Sequence, residues 1–136
     1  MNAVDTNVLL YVHDYRDPAK QATAKALVDS LPDAVLLWQV ACEYIAASRK
    51  FEPLGYSREK AWQDVNKLRA LWATQSLTWE VLGRAEDLLP RYSLSFWDAL
   101  LVAACLEAGV TRLYMEDFDD SVRAEGLEVL NPFATP

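Results

Sequence analysis

Three carboxylates stand where a folding core has little use for them. Between Asn2 and Val12 the only charged residue is Asp5, between Ala34 and Ser48 it is Glu43, and between Phe96 and Leu106 it is Asp98. A carboxylate taken unpaired into an apolar interior is costly or takes up a proton, so each of these positions calls for compensation from elsewhere in the chain. A fourth acid, Asp117, follows the apolar run Leu113-Tyr114-Met115 within the cluster Glu116-Asp117-Phe118-Asp119-Asp120. Four oxygen donors of this kind suit a hard divalent ion. With one histidine, His13, and no CxxC spacing between Cys42 and Cys105, the chain offers no nitrogen or sulfur set, and Mg²⁺ or Mn²⁺ fits best.

Each acid also has an ordinary explanation. Ser95 and Asp98 have the S-x-x-D spacing of a capping box. Asp5 ahead of Thr6-Asn7 suits an Asx turn. Glu43 has no local partner, so its ordinary role is an ion pair with Lys or Arg from another element. The Glu116 to Asp120 cluster, alone, reads as a solvated loop. His13, at the end of a short apolar run, is assigned no role.

The elements that must carry these residues follow from hydrophobic period and punctuation. Asn2 to Val4 reads as a strand, Asp5-Thr6-Asn7 as a polar turn, and Val8 to Val12 as a helix. Pro18 opens a helical pattern to Leu31. Ala34 to Leu37 is wholly apolar, as in a strand covered on both faces, and a helix follows from Val40 to Arg49. Ser57 caps an amphipathic helix through Trp72, and Ser76 to Thr78 reads as a brief strand before a helix from Glu80 to Arg91. Ser95 caps an apolar helix from Phe96 to Ala108 that Gly109 ends. Leu113 to Met115 and Leu127 to Leu130 are the last strands. On this reading Asp5 and Asp117 lie at carboxyl ends of strands, and Glu43 and Asp98 lie in the first turn or so of helices, where the dipole favours the ionised form. Repeated βα order predicts one α/β domain over residues 1–136, a three-layer α/β/α arrangement with a central parallel sheet.

Composition narrows the function. The chain has 136 residues, 13 Lys+Arg against 20 Asp+Glu, and a net charge of −7. That balance excludes non-specific grip on nucleic acid through phosphate contacts, so any nucleic acid must meet a local basic patch or a metal. Arg16, Lys20, Arg49, Lys50, Arg91 and Arg112 are the candidates for such contacts. Both cysteines sit in apolar runs and read as core thiols of a reducing compartment. No apolar stretch is long enough to span a membrane, and the expected location is the cytoplasm. Of the five tryptophans, Trp62, Trp72 and Trp79 read as core or interface. Trp62, Leu68 and Trp72 are expected on one apolar face that receives a partner helix.

The ordered set D-T-N-V-L-L-Y from Asp5, Glu43, S-F-W-D-A-L-L-V-A-A-C-L-E-A-G from Ser95 and E-D-F-D-D from Glu116 resembles the PIN-domain family, within it the VapC-type toxin ribonucleases. The likeness covers nearly the whole chain. It implies a PIN-like fold and a Mg²⁺- or Mn²⁺-dependent endoribonuclease, with RNA as substrate, a VapB-type antitoxin as partner and a homodimer as assembly. Carried over by position, Asp5, Glu43, Asp98 and Asp117 match the four metal-binding, catalytic acids. Thr6 and Asn7 match the polar residues beside the first, and Ser95, Asp119 and Asp120 stand next to the set as supporting residues. The implied reaction is hydrolysis of a phosphodiester by metal-activated water. Two other readings of the same residues remain open: phosphoryl transfer through an aspartyl intermediate at Asp5, and a non-catalytic module that binds RNA or protein.

Overall fold

The computed structural model describes residues 1–116, 118 and 121–134. Strand β1 (Asn2–Val4) runs into α1 (Thr6–Tyr11), and α2 (Pro18–Ser30) leads to β2 (Ala34–Leu37). Helix α3 (Trp38–Ala47) continues into a 3₁₀ segment (Ser48–Leu54), followed by α4 (Arg58–Leu71) and β3 (Ala73–Gln75). Then come α5 (Trp79–Leu88), α6 (Phe96–Glu107), β4 (Arg112–Tyr114), a 3₁₀ turn (Arg123–Glu125) and β5 (Glu128–Leu130). The strands form one sheet, ordered β3-β2-β1-β4-β5, with every pairing parallel.

The chain moves outward from β1 through β2 to β3, then returns across the sheet to β4. Right-handed crossovers therefore place α1 to α4 over one face and α5 with α6 over the other, giving the expected three layers. Contacts agree: α1 packs on α2 and α3, α3 on α4, and α5 on α6. The reversal of direction opens a crevice between the carboxyl ends of β1 and β4, where open α/β sheets hold ligands. Asp5 sits at that point, its amide donating to the Tyr114 carbonyl at 2.9 Å.

Burial explains most of the element assignments. All four residues of β2 are buried, because the strand lies inside the sheet and is covered on both sides. Val8, Val40, Val81, Val102 and Leu113 are buried to within a percent of complete, which ties both helical layers to the sheet. Gly55 (φ 95°) ends the 3₁₀ segment and Gly109 (φ 75°) ends α6, both in the left-handed region where a Cβ is disfavoured.

The structure corrects five expectations. The third strand is Ala73–Gln75, not Ser76 to Thr78, because α4 stops at Leu71 and Val35↔Ala73 begins the pairing at once. Thr78 is used instead as the cap of α5, accepting from the Val81 amide at 3.2 Å. Helix α1 starts at Thr6, so the polar pair is its first turn. Cys42 is exposed and only Cys105 is a core thiol. Trp62 and Trp79 are 50% and 81% exposed, so neither belongs to the core. Nor do Trp62, Leu68 and Trp72 share a face. Trp62 lines a groove of about 630 Å³ with Trp38 and Arg69, whereas Leu68 and Trp72 line a separate cavity of about 350 Å³ with His13. Six residues along a helix turn through about 600°, which puts positions 62 and 68 on different sides of α4. No helix among the described residues is long and apolar enough to cross a membrane.

Candidate active site

Asp5, Glu43 and Asp98 line one cavity of about 420 Å³ at the β1–β4 crevice, together with Thr6, Asn7, Gln39, Lys50, Trp97, Met115 and Glu116. Three elements deliver the acids. Asp5 is the residue between β1 and α1, Glu43 lies in the second turn of α3, and Asp98 lies in the first turn of α6. Glu43 is therefore further from its helix start than the sequence spacing suggested, and the α3 dipole does little for it.

Burial separates the three. Asp5 is 7% exposed, Asp98 is half-buried and Glu43 is exposed. An apolar run does not bury every residue within it, because a helix keeps one side toward the cavity. Along α3 and the 3₁₀ segment that continues it, that side is Gln39, Glu43, Ala47 and Lys50, at intervals of four, four and three.

No described cation compensates these acids: among the described residues, none of the three forms an ion pair with Lys or Arg. The ion pair that would have explained Glu43 is absent. Its two oxygens are instead held by the Thr6 hydroxyl (2.8 Å) and the Gln39 amide nitrogen (3.0 Å). The Asp5 carboxyl is pushed up from 3.8 to about 6, chiefly by burial and further by the charges of Glu43 and Asp98, while the Thr6 and Asn7 amides pull it down. Although Asp5 occupies the cap position of α1, its side chain makes no cap hydrogen bond, so the Asx-turn explanation does not use it up. At α6 the capping explanation holds for Ser95, whose Oγ accepts from the Asp98 amide at 3.1 Å. That bond uses the backbone of Asp98 and leaves its carboxylate for the cavity.

Glu116 enters the cavity already satisfied. Lys20 Nζ lies 2.6 Å from one of its oxygens and the Tyr11 hydroxyl donates to the other at 2.9 Å. Lys20 also sits over the Tyr11 ring, and Phe133 meets Tyr11 edge to face. The other expected acids, Asp117, Asp119 and Asp120, lie outside the described residues.

Among the cations considered for substrate contact, Arg16 pairs with Asp14, Lys20 with Glu116, Arg49 with Glu52, Arg91 with Glu125 and Arg112 with Glu128. Lys50 alone of the six lines the acid cavity. His13 is elsewhere, stacked on Tyr56 at 4.2 Å and 3.4 Å from Asp64, with burial lowering its pKa against the pull of Asp64. It takes no part in the site.

The PIN domain family profile matches residues 3–126. The chain belongs to the PIN-domain family. No curated protein matches it by sequence. Solved structures that resemble this PIN domain include two from bacterial toxin systems. One is VapC20 of Mycobacterium tuberculosis, described as a sarcin-ricin loop cleaving toxin, with a TM-score of 0.68, 22% identity, and 93% of this chain and 96% of that one covered. The other is a toxin-antitoxin complex from Klebsiella pneumoniae, with a TM-score of 0.71, 16% identity, and 99% and 100% covered. At such identities the likeness is one of fold.

Three observations bear on whether this PIN domain's cavity suits a divalent cation. Asp5 is buried among like charges with no described cation partner. Gln39 Oε1, also in the cavity lining, is a buried acceptor without a hydrogen-bond partner. All the acidic donors are hard oxygens. Against these, no three acids among the described residues already form a ligand cluster. Like-charged carboxylates repel one another, and a bound cation would offset that repulsion. The residues fit the ion.

Gln39 escaped the reading of the sequence, although it was legible in principle, since it precedes Glu43 by one helical turn; Lys50 was already among the candidate cations. The lock of Tyr11 and Lys20 on Glu116 has no local signal, because its members are 105 and 96 residues from Glu116.

Proposed function

We propose that this PIN-domain protein is an endoribonuclease toxin dependent on Mg²⁺ or Mn²⁺, held inactive by a VapB-type antitoxin. The observation that carries the reading is the convergence of Asp5, Glu43 and Asp98 on one cavity where none of them forms an ion pair with Lys or Arg among the described residues. The toxin role is supported by fold likeness to two proteins described as a toxin and as a toxin-antitoxin complex.

Asp5, Asp98 and Glu43, with Asp117, are the residues that would hold the ion. Bound there, it supplies an acidified water and neutralises charge on the phosphate under attack. The chain's own groups do the rest. Thr6 and Gln39 clamp the two oxygens of Glu43, which fixes its rotamer before any ligand arrives. Above pH 6 Asp5 is ionised and able to ligate. Lys50 supplies a point charge for a phosphate oxygen on a molecule that is otherwise anionic. Exposed Trp97, at the cavity rim, offers a face for an unstacked base.

The test is cleavage of total RNA by the purified chain, freed of antitoxin, with Mg²⁺ or Mn²⁺ and with EDTA, comparing wild type with Asp98→Asn. Metal-dependent cleavage abolished by Asp98→Asn is expected. Cleavage that persists in EDTA, or in the variant, overturns the reading.

A further inference from the structure

We propose that Gln39 is a positioning residue of the metal centre whose side-chain oxygen accepts a hydrogen bond from a water carried by the bound cation, while its nitrogen braces the acids. The inference rests on the metal reading above and extends it to a residue outside the four acids. Gln39 is 7% exposed and lines the acid cavity. Its Nε2 donates to Glu43 Oε1 at 3.0 Å and to the Trp97 carbonyl at 3.3 Å. Both partners are acceptors, so the amide has only one sensible orientation; turned over, it would set oxygen against oxygen. The nitrogen thus ties α3 to the first turn of α6, next to Asp98.

That orientation leaves Oε1 closed off from solvent and without a partner among the described residues. A buried acceptor in this state carries a desolvation cost that no described residue offsets. The Thr6 hydroxyl is already spent on Glu43. The carboxylates sharing the cavity have no donor to give when ionised. Lys50 also lines the cavity, but its ammonium makes no hydrogen bond to Oε1, so what this oxygen lacks is a donor accompanied by positive charge at its own position. A hydrated Mg²⁺ or Mn²⁺ brings both, since such ions keep several waters and polarise their O–H bonds. An RNA hydroxyl brings a donor but adds negative charge to a site that already holds three acids, which favours the cation.

The experiment is a calorimetric titration of MnCl₂ into the purified chain, wild type against Gln39→Met, with thermal melts of both in EDTA. Methionine keeps the length and apolar bulk of the side chain and removes its oxygen and nitrogen. The expected result is about tenfold weaker Mn²⁺ binding, the lower end of what outer-shell partners contribute. In EDTA the variant should melt close to wild type, because removal of the orphaned acceptor offsets the loss of the two bonds from Nε2. A lower melting temperature in EDTA with unchanged Mn²⁺ affinity makes Gln39 a structural strut and overturns the proposal. If stability and affinity fall together, or Gln39→Met does not fold, NMR decides on the wild type titrated with MgCl₂: a Gln39 side-chain carbonyl carbon signal that moves with the carboxylate signals of the site supports the proposal, and one that stays fixed while they move overturns it. Wild-type protein that takes up no Mn²⁺ in the millimolar range overturns the metal reading itself. Wild-type uptake that Gln39→Met leaves unaltered overturns only the part given to Gln39.

Discussion

Replacing Asp5 with asparagine should stabilise the metal-free protein, and the gain should grow with pH. Asp5 is almost fully buried and its carboxyl is raised from 3.8 to about 6, first by burial and then by Glu43 and Asp98. A raised acid binds its proton more tightly in the folded state. The fold is therefore favoured while the proton stays on, loses stability as pH climbs from about 4 to 6, and keeps the deficit above that. At about 1.36 kcal/mol per tenfold, the raised Asp5 lowers stability by ~1 kcal/mol at pH 4.5, where the fold keeps it protonated, and by ~3 kcal/mol at pH 7.5, where it is ionised. Asparagine escapes that cost, and the pull of the Thr6 and Asn7 amides needs no separate allowance because it is already contained in the value of about 6. The gain at pH 7.5 is then ~3 kcal/mol, or about 9–12 °C in Tm for a chain of this size. Urea unfolding of both proteins in EDTA at pH 4.5 and 7.5 measures it, and the change between the two pH values isolates Asp5 because other titrations cancel. A difference that does not vary with pH, or a variant less stable than wild type at pH 7.5, refutes the electrostatic account of the site. Saturating Mn²⁺ should erase most of the difference: a ligand at about 100 times its Kd adds ~2.7 kcal/mol to the wild type alone.

Other consequences are open to direct measurement. Thr6→Val frees one oxygen of Glu43 while keeping the shape of a buried side chain, and should weaken Mn²⁺ binding by about 10-fold or more in a calorimetric titration. Lys50→Met should raise KM for RNA several-fold and leave Mn²⁺ affinity intact, with Lys50→Arg recovering part of the loss; an unchanged KM removes Lys50 from substrate contact. Leu113→Ala opens a cavity beneath a central strand at a site with no exposure and should cost ~3 kcal/mol in urea unfolding, as buried leucines do. A thiol reagent should label Cys42 in the native protein and reach Cys105 only on unfolding, since burial both shields Cys105 and pushes its thiol far above the usual range.

Local pattern was enough for much of this protein. Runs such as Ala34 to Leu37 and Phe96 to Leu106 declare a covered strand and a buried helix, because a run this apolar is stable only when shielded from water. Pro18, Ser57, Ser95 and Gly109 mark boundaries through backbone constraints that act within a few residues. The lone acids stood out for the same reason, since a charge inside an apolar run is costly wherever the run ends up. Tertiary structure decided which of those charges bears the cost. Helical phase turns Glu43 toward an open cavity, while the β1–β4 crevice closes over Asp5, and neither fact is local. The same holds for Trp62 and Leu68, which one spacing seemed to join and helix rotation separates. It holds for Glu116, silenced by Tyr11 and Lys20 from the far end of the chain, and for Gln39, whose orphaned oxygen exists only once α3 meets α6. Backbone preference and hydrophobic burial are properties of segments; desolvation, charge pairing and hydrogen-bond satisfaction are properties of neighbours, and the fold alone chooses the neighbours.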